Sequence, residues 1–149
     1  SIMDINVIGV FNSFKYALED MESEGWGRMI AISSTAGLKG YSYVLSYCAS
    51  KHAVIGLTRS LAMELARKGI TVNSVCPSYI DTPMTKRTIE NITKLTNLSD
   101  EDAMKNLVSS NPQERLIQPS EVAETISWIC KETSNSINGQ SISISGGEI

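Results

Sequence analysis

The sequence predicts a three-layer α/β domain built on a parallel sheet. Apolar spacing switches repeatedly between helical and strand periods, in the order helix, strand, helix, strand, a less regular stretch, helix, strand. The first strand segment, RMIAIS at 28–33, is nearly all apolar, as expected of a strand covered on both faces. Helices stand between successive strands, which implies parallel pairing through crossovers.

The first helix is expected over 2–22, where Ile5, Ile8, Phe11, Leu18 and Met21 recur at helical spacing. Gly25 and Gly27 end it and introduce the strand at 28–33. A loop over 34–44 carries Gly37 and Gly40. A long helix follows from about Ser46 to Lys68, with Ala49, Ala53, Leu57, Leu61 and Leu65 on one face and Gly69 as its stop. ITVNSVC at 70–76 reads as a β-branched strand cut off by Pro77. Residues 78–118 are less regular. Ser99 caps a short helix through about Ser109, and Pro112 ends it. Pro119 opens another helix, 119–133, with Val122, Ile126, Ile129 and Cys130 as its stripe. Asn138-Gly139 turns the chain into the last strand, SISIS, closing at Gly146-Gly147.

The 149 residues suit one modest domain, with 42% hydrophobic and 19% charged residues. A net charge of −3 without a dense basic block argues against a nucleic-acid surface. No apolar run approaches the ~20 residues of a membrane span. Nor does the N-terminus read as a secretory signal. Cys48, Cys76 and Cys130 are odd in number and widely spaced, which favours reduced buried thiols in a cytoplasmic protein and no metal site. The chain opens without a start methionine on a segment that already reads as helix, so it is expected to be the later part of a longer protein.

Tyr47 and Lys51 lie four positions apart on one helix face. An adjacent ammonium favours the phenolate; bringing a tyrosine from about 10 to about 7 requires ~4 kcal/mol of differential stabilisation. The helix N-terminus adds positive potential there. Alone, such a spacing reads as a surface pair. Its surroundings change the reading. Ser33-Ser34 ends one strand and Pro77-Ser78 ends the next at the same edge, and parallel sheets place their sites beyond the carboxyl ends of strands.

Ser34, Tyr47 and Lys51 in this order resemble the Ser-Tyr-Lys site of the short-chain dehydrogenase/reductase family. DINVIGVF at 4–11 resembles that family's helix carrying a fourth catalytic residue, here Asn6. TVNSVCP at 71–77 with DTPM at 81–84 resembles its nicotinamide-side loop, and QPSEVA at 118–123 with Gly139-Gln140 through Gly146-Gly147 its final helix and strand. The resemblance covers the whole chain and implies a Rossmann-like doubly wound sheet of which only the later strands are present. It implies hydride transfer between NAD or NADP and a small-molecule carbonyl or alcohol. Tyr47 would be the proton donor. Ser34 would fix the substrate oxygen. Lys51 would lower the Tyr47 pKa and hold the nicotinamide ribose. Asn6 would anchor a water leading from Lys51 to solvent. Pro77, Ser78, the Ile80 backbone and the Thr82 hydroxyl would contact the nicotinamide. Where the family usually has Pro-Gly this chain has Pro77-Ser78, so serine is expected to strain or shift that loop if the glycine serves a positive φ or a close backbone approach.

No glycine-rich turn at a helix N-terminus is found for a pyrophosphate, since Gly25-Trp26-Gly27 precedes a strand. The chain therefore resembles the catalytic portion, 1–149, without the dinucleotide-binding half. A lid at about 84–118 is expected to choose the substrate. Its Leu95, Leu98, Met104, Leu107 and Val108 either line an acyl pocket or pack on one another. Within the family the chain is most similar to 3-oxoacyl-thioester reductases, polyketide ketoreductases and 3-hydroxybutyrate dehydrogenases, which implies a 3-oxoacyl or 3-hydroxyacyl substrate, possibly an acyl thioester. It also implies a homodimer or homotetramer. The rival expectation is a non-catalytic binding or scaffold protein that kept the fold without a complete cofactor site.

Overall fold

The computed structural model describes residues 1–149. A π-helical turn at Asp4–Ile8 leads into helix α1 (Gly9–Glu24), strand β1 (Gly27–Ile32), helix α2 (Leu45–Leu65) and strand β2 (Ile70–Pro77). Helices α3 (Pro83–Thr96), α4 (Asp100–Val108) and α5 (Pro119–Ile129) and strand β3 (Ser141–Ile144) follow. No helix is long and apolar enough to cross a membrane.

The three strands are parallel, in the order β1-β2-β3. Central β2 is buried along all eight residues, because both of its faces are covered. Side chains alternate across it. Ile70 and Val72 meet Met29, Ala62 and Leu65 on one face, with Phe14, Leu18 and Met21 of α1 packed alongside. Val75 meets Val122 and Ile129 of α5, together with Ile142 and Ile144 of β3, on the other. The spacing of Phe14, Leu18 and Met21 is that of one helical stripe, which is why α1 lies along the sheet.

Both crossovers step the same way across the sheet, yet α2 covers one face and α5 the opposite one. They therefore have opposite hands, so one of them departs from the usual right-handed rule. The geometry keeps all three strand exits on one rim while placing a helical layer on each side of it.

The larger departures from the sequence reading fall in three places. Helix α2 stops at Leu65, not 68, because residues 66–69 curl into a turn in which the Lys68 amide reaches the Leu65 carbonyl. Helix α5 stops at Ile129, and a 3-10 turn at Glu132–Ser134 replaces its predicted end. The stretch read as irregular after Pro77 contains the 14-residue helix α3, capped by the Thr82 hydroxyl with Pro83 in the first turn and closed by Asn97 in the left-handed conformation.

Helices α3 and α4 pack as a hairpin around Ile89, Ala103 and Leu107, with Ile92, Met104 and Leu116 against them. Of the residues expected to line a lid, Leu107 and Val108 are buried and Leu95 points to solvent. The hairpin closes back onto the sheet at Gly146, whose φ of +65° and lack of a side chain admit Asn111: a Cβ there would stand 2.0 Å from Asn111 Oδ1.

Candidate active site

Strand β1 delivers Ser33 and Ser34 to the rim. The Ser33 amide continues the sheet ladder onto the Val75 carbonyl, 2.8 Å away. Ser34 then caps a 3-10 turn at Thr35–Gly37, its Oγ accepting from the Ala36 amide at 3.1 Å. Gly37 lets α2 approach this turn. A Cβ at that position would lie 2.6 Å from Ser33 Oγ and 2.8 Å from the Lys51 carbonyl oxygen. The close approach brings the turn bearing Ser34 against the helix bearing Tyr47 and Lys51.

Tyr47 occupies the first turn of α2 and is half-buried. One turn on, the Lys51 ammonium stands 5.6 Å from the centre of the Tyr47 ring. Lys51 Nζ donates to the carbonyl of Ile32, the last residue of β1, at 3.0 Å. Burial lowers the Lys51 pKa, partly offset by attraction to the Cys76 thiol, whose own pKa burial raises. Spacing thus brings Tyr47 and Lys51 onto one face. The hydrogen bonds that Ser34 and Lys51 make go to the Ala36 amide and the Ile32 carbonyl, not to the Tyr47 phenol.

Asn6 sits in the π-helical turn at Asp4–Ile8, a local widening often found at functional positions. Its Nδ2 donates to Ser50 Oγ at 3.0 Å, and Ser50 Oγ donates to the Tyr47 carbonyl oxygen at 2.8 Å. The sequence reading sent Asn6 toward Lys51 through a water. The structure ties its side chain to the backbone of Tyr47, through a residue that reading did not single out.

The loop after β2 contains the other candidates. Ser78 is not among the residues with positive φ, so serine suffers no left-handed strain at this place. Its amide donates to the Ile144 carbonyl at 3.1 Å. A single parallel bridge joins Ile80 to Ile117, using the Asp81 amide and the Tyr79 carbonyl. The Ile80 carbonyl accepts from Thr85 Oγ1 at 2.6 Å. The Thr82 hydroxyl accepts from the Thr85 amide at 3.4 Å, so a group expected to face a cofactor also caps α3.

Sequence reasoning missed Glu148. Its side chain is 1% exposed and gathers donors from well-separated segments. Lys39 Nζ lies 2.8 Å from Oε1, the Tyr41 hydroxyl donates to the same oxygen, and Ser78 Oγ donates to Oε2 at 2.6 Å. Tyr41 also lies 2.8 Å from Thr35 Oγ1, next to Ser34. Burial raises the Glu148 pKa, but donors from Lys39, Ser78, Tyr41 and Ser110 outweigh it and hold the carboxyl down to about 2. Partial burial, and after it the same contact, push the Tyr41 phenol up. No three His, Cys, Asp or Glu side chains cluster as a metal would require.

A sequence family described as Enoyl-(Acyl carrier protein) reductase matches residues 1–148. The chain is 37% identical over 148 residues to a putative ketoacyl reductase of Streptomyces coelicolor, covering 98% of this chain and 57% of that protein. It is 35% identical over 147 residues to an acetoacetyl-CoA reductase of Cupriavidus necator, covering 99% and 55%. The solved structure of F189W actinorhodin polyketide ketoreductase with NADPH superposes with a TM-score of 0.91 at 38% identity, over 96% of this chain and 56% of that one. The chain thus spans little more than half the length of these relatives. The parallel sheet, the order of the elements and this end-to-end match agree: the chain belongs to the short-chain dehydrogenase/reductase family.

Proposed function

We propose that this chain carries the proton-transfer part of an NAD(P)-dependent reductase acting on a carbonyl compound. The observation that carries the reading is the Lys51 ammonium held 5.6 Å from the Tyr47 ring centre at the rim where β1 and β2 end. Residues 1–149 would form the catalytic portion of one domain, with α3 and α4 as the cover beside the site.

The donors on this rim suit the nicotinamide-ribose end of such a cofactor. The Lys51 ammonium spends one of its three protons on Ile32, which leaves two for ribose hydroxyls. The bridge to Ile117 uses the flanking Asp81 amide and Tyr79 carbonyl, so the Ile80 amide lies outside it and can face a carboxamide. Pro77, Ser78 and Thr82 complete that side. When bound, a reduced nicotinamide supplies the hydride.

Tyr47 then gives its hydroxyl proton to the carbonyl oxygen, or takes one from the alcohol in the reverse direction. Ser34 donates a hydrogen bond to the same oxygen. Two hydroxyl donors thus meet the negative charge that builds there, and the Lys51 charge beside the Tyr47 ring favours the arrangement. Asn6 fixes the backbone carrying Tyr47 through Ser50. The substrate class we favour is a 3-oxoacyl compound, possibly a thioester. The support is the similarity to a ketoacyl reductase and an acetoacetyl-CoA reductase. Ile5, Ile8, Phe11 and Tyr16 are exposed along the first helix, which supports pairing between copies as a homodimer or homotetramer.

The test is a fluorescence titration of the intact protein with NADH and NADPH, followed by turnover of acetoacetyl-CoA. Saturable binding of one dinucleotide and its oxidation by the thioester are expected. Binding of neither would end the oxidoreductase reading in favour of a scaffold.

A further inference from the structure

We propose that Glu148 is a positioning residue that clamps the loop after β2 to the segment carrying the two reacting hydroxyls, and so sets dinucleotide affinity. The proposal rests on the oxidoreductase reading above. Its basis is the partner list of one carboxylate. Oε1 takes Lys39 and Tyr41, which lie in the stretch between Ser34 and Tyr47. Oε2 takes Ser78, the residue that opens the cofactor-facing loop. The side chain itself is 1% exposed and its oxygens are taken up by these neighbours, so it acts through them.

The arrangement gives Ser78 a purpose. The usual glycine at this place has no side chain to offer, whereas this serine donates to Glu148 at 2.6 Å without adopting a positive φ. Its amide is held separately by the Ile144 carbonyl. The loop is therefore pinned from β3 and from Glu148 at once. Tyr41, at the other end of the carboxylate, also meets Thr35, the neighbour of Ser34. Burial, and after it the nearby Glu148 charge, raise the pKa of Tyr79, which follows Ser78. A fully paired buried carboxylate is a stiff connection, because breaking any one contact leaves charge or a donor unsatisfied.

A loop that meets the dinucleotide equally in ground and transition states contributes uniform binding, which appears in KM and not in kcat. Tyr41→Phe and Glu148→Gln, made in the intact protein, are each expected to raise the dinucleotide KM and dissociation constant about tenfold while kcat changes less than about twofold. The double variant should show about the same tenfold loss and not the product of the two, since both changes break one clamp. Hydrogen exchange should quicken together in residues 35–47 and 78–82 of Glu148→Gln. Unchanged KM with lowered melting temperature alone, or multiplying effects in the double variant, would overturn the clamp. If the unaltered protein binds neither dinucleotide, the oxidoreductase reading fails first. Hydrogen exchange then decides the clamp, and loosening of only one segment, or of neither, refutes it.

Discussion

Lys51 is fastened to the end of β1: its ammonium donates to the Ile32 carbonyl at 3.0 Å while lying over the Tyr47 ring. A flexible side chain is thereby fixed by the sheet itself, and its charge is delivered to the place where the strand exits converge.

Tyr47→Phe keeps the ring under Lys51 and removes only the transferable proton. Turnover should fall at least about a hundredfold, in the range of a lost general acid, with dinucleotide binding near normal. Stopped-flow and equilibrium titration of the same sample read the two effects. Retained turnover would remove Tyr47 from the acid role.

Burial lowers the Lys51 pKa, so this amine loses its charge at a lower pH than a free lysine. Activity that depends on the charge should therefore decline on the alkaline side sooner than for an exposed lysine. Lys51→Arg, which stays charged throughout, should lose that decline while turning over more slowly because the guanidinium cannot repeat the ammonium geometry. A pH–rate profile of both proteins makes the comparison.

The placement of several candidate residues on one rim was legible in the sequence. Tyr47 and Lys51 follow from helical spacing, and the positions of Ser34 and Pro77 follow from where two strong strand patterns stop. The π-helical turn around Asn6 was not, because its apolar spacing matches an ordinary helix over so few residues. Helix α3 escaped notice because it carries few apolar residues. Thr85 and Ile89 are its buried residues, one of them polar, and Ile92 packs beside them. The better signal was Thr82-Pro83, a cap followed by a first-turn proline. Glu148 carries no local pattern at all. Its partners come from positions 39, 41 and 78, and no spacing along the chain announces such a meeting.

Gly37→Ala should destabilise the protein by about 1–3 kcal/mol, since the added methyl would overlap Ser33 Oγ, the Lys51 carbonyl and Ile55 Cδ1. Chemical denaturation of the intact protein measures it. The change should also push α2 away from the Ser34 turn and depress turnover in the protein that remains folded.

Glu148 contributes to acid stability in a defined window. Its folded pKa, about 2, lies below the unfolded carboxyl value, so the stabilisation is present above about 4.5 and is lost as the pH falls toward 2. Glu148→Gln should remove part of the stability difference between neutral and acidic pH. Unfolding curves at pH 7 and pH 3 test this, and equal acid sensitivity in both proteins would contradict it.

Thr82→Ala removes the cap of α3 and should cost about 1 kcal/mol. Thr82→Ser keeps the hydroxyl and should restore it. A dinucleotide KM that rises with alanine and recovers with serine would give the same hydroxyl its second part.

The Glu148 contacts span 70 residues to Ser78 and 107 to Tyr41. Connections of that length close late, after the nearer pairings have formed. During synthesis, the segments holding Ser34, Tyr47 and Ser78 leave the ribosome well before their tether does. The clamp proposed for Glu148 would therefore close only after residue 148 emerges, leaving the Ser34–Tyr47 and Ser78 segments untied to each other until then.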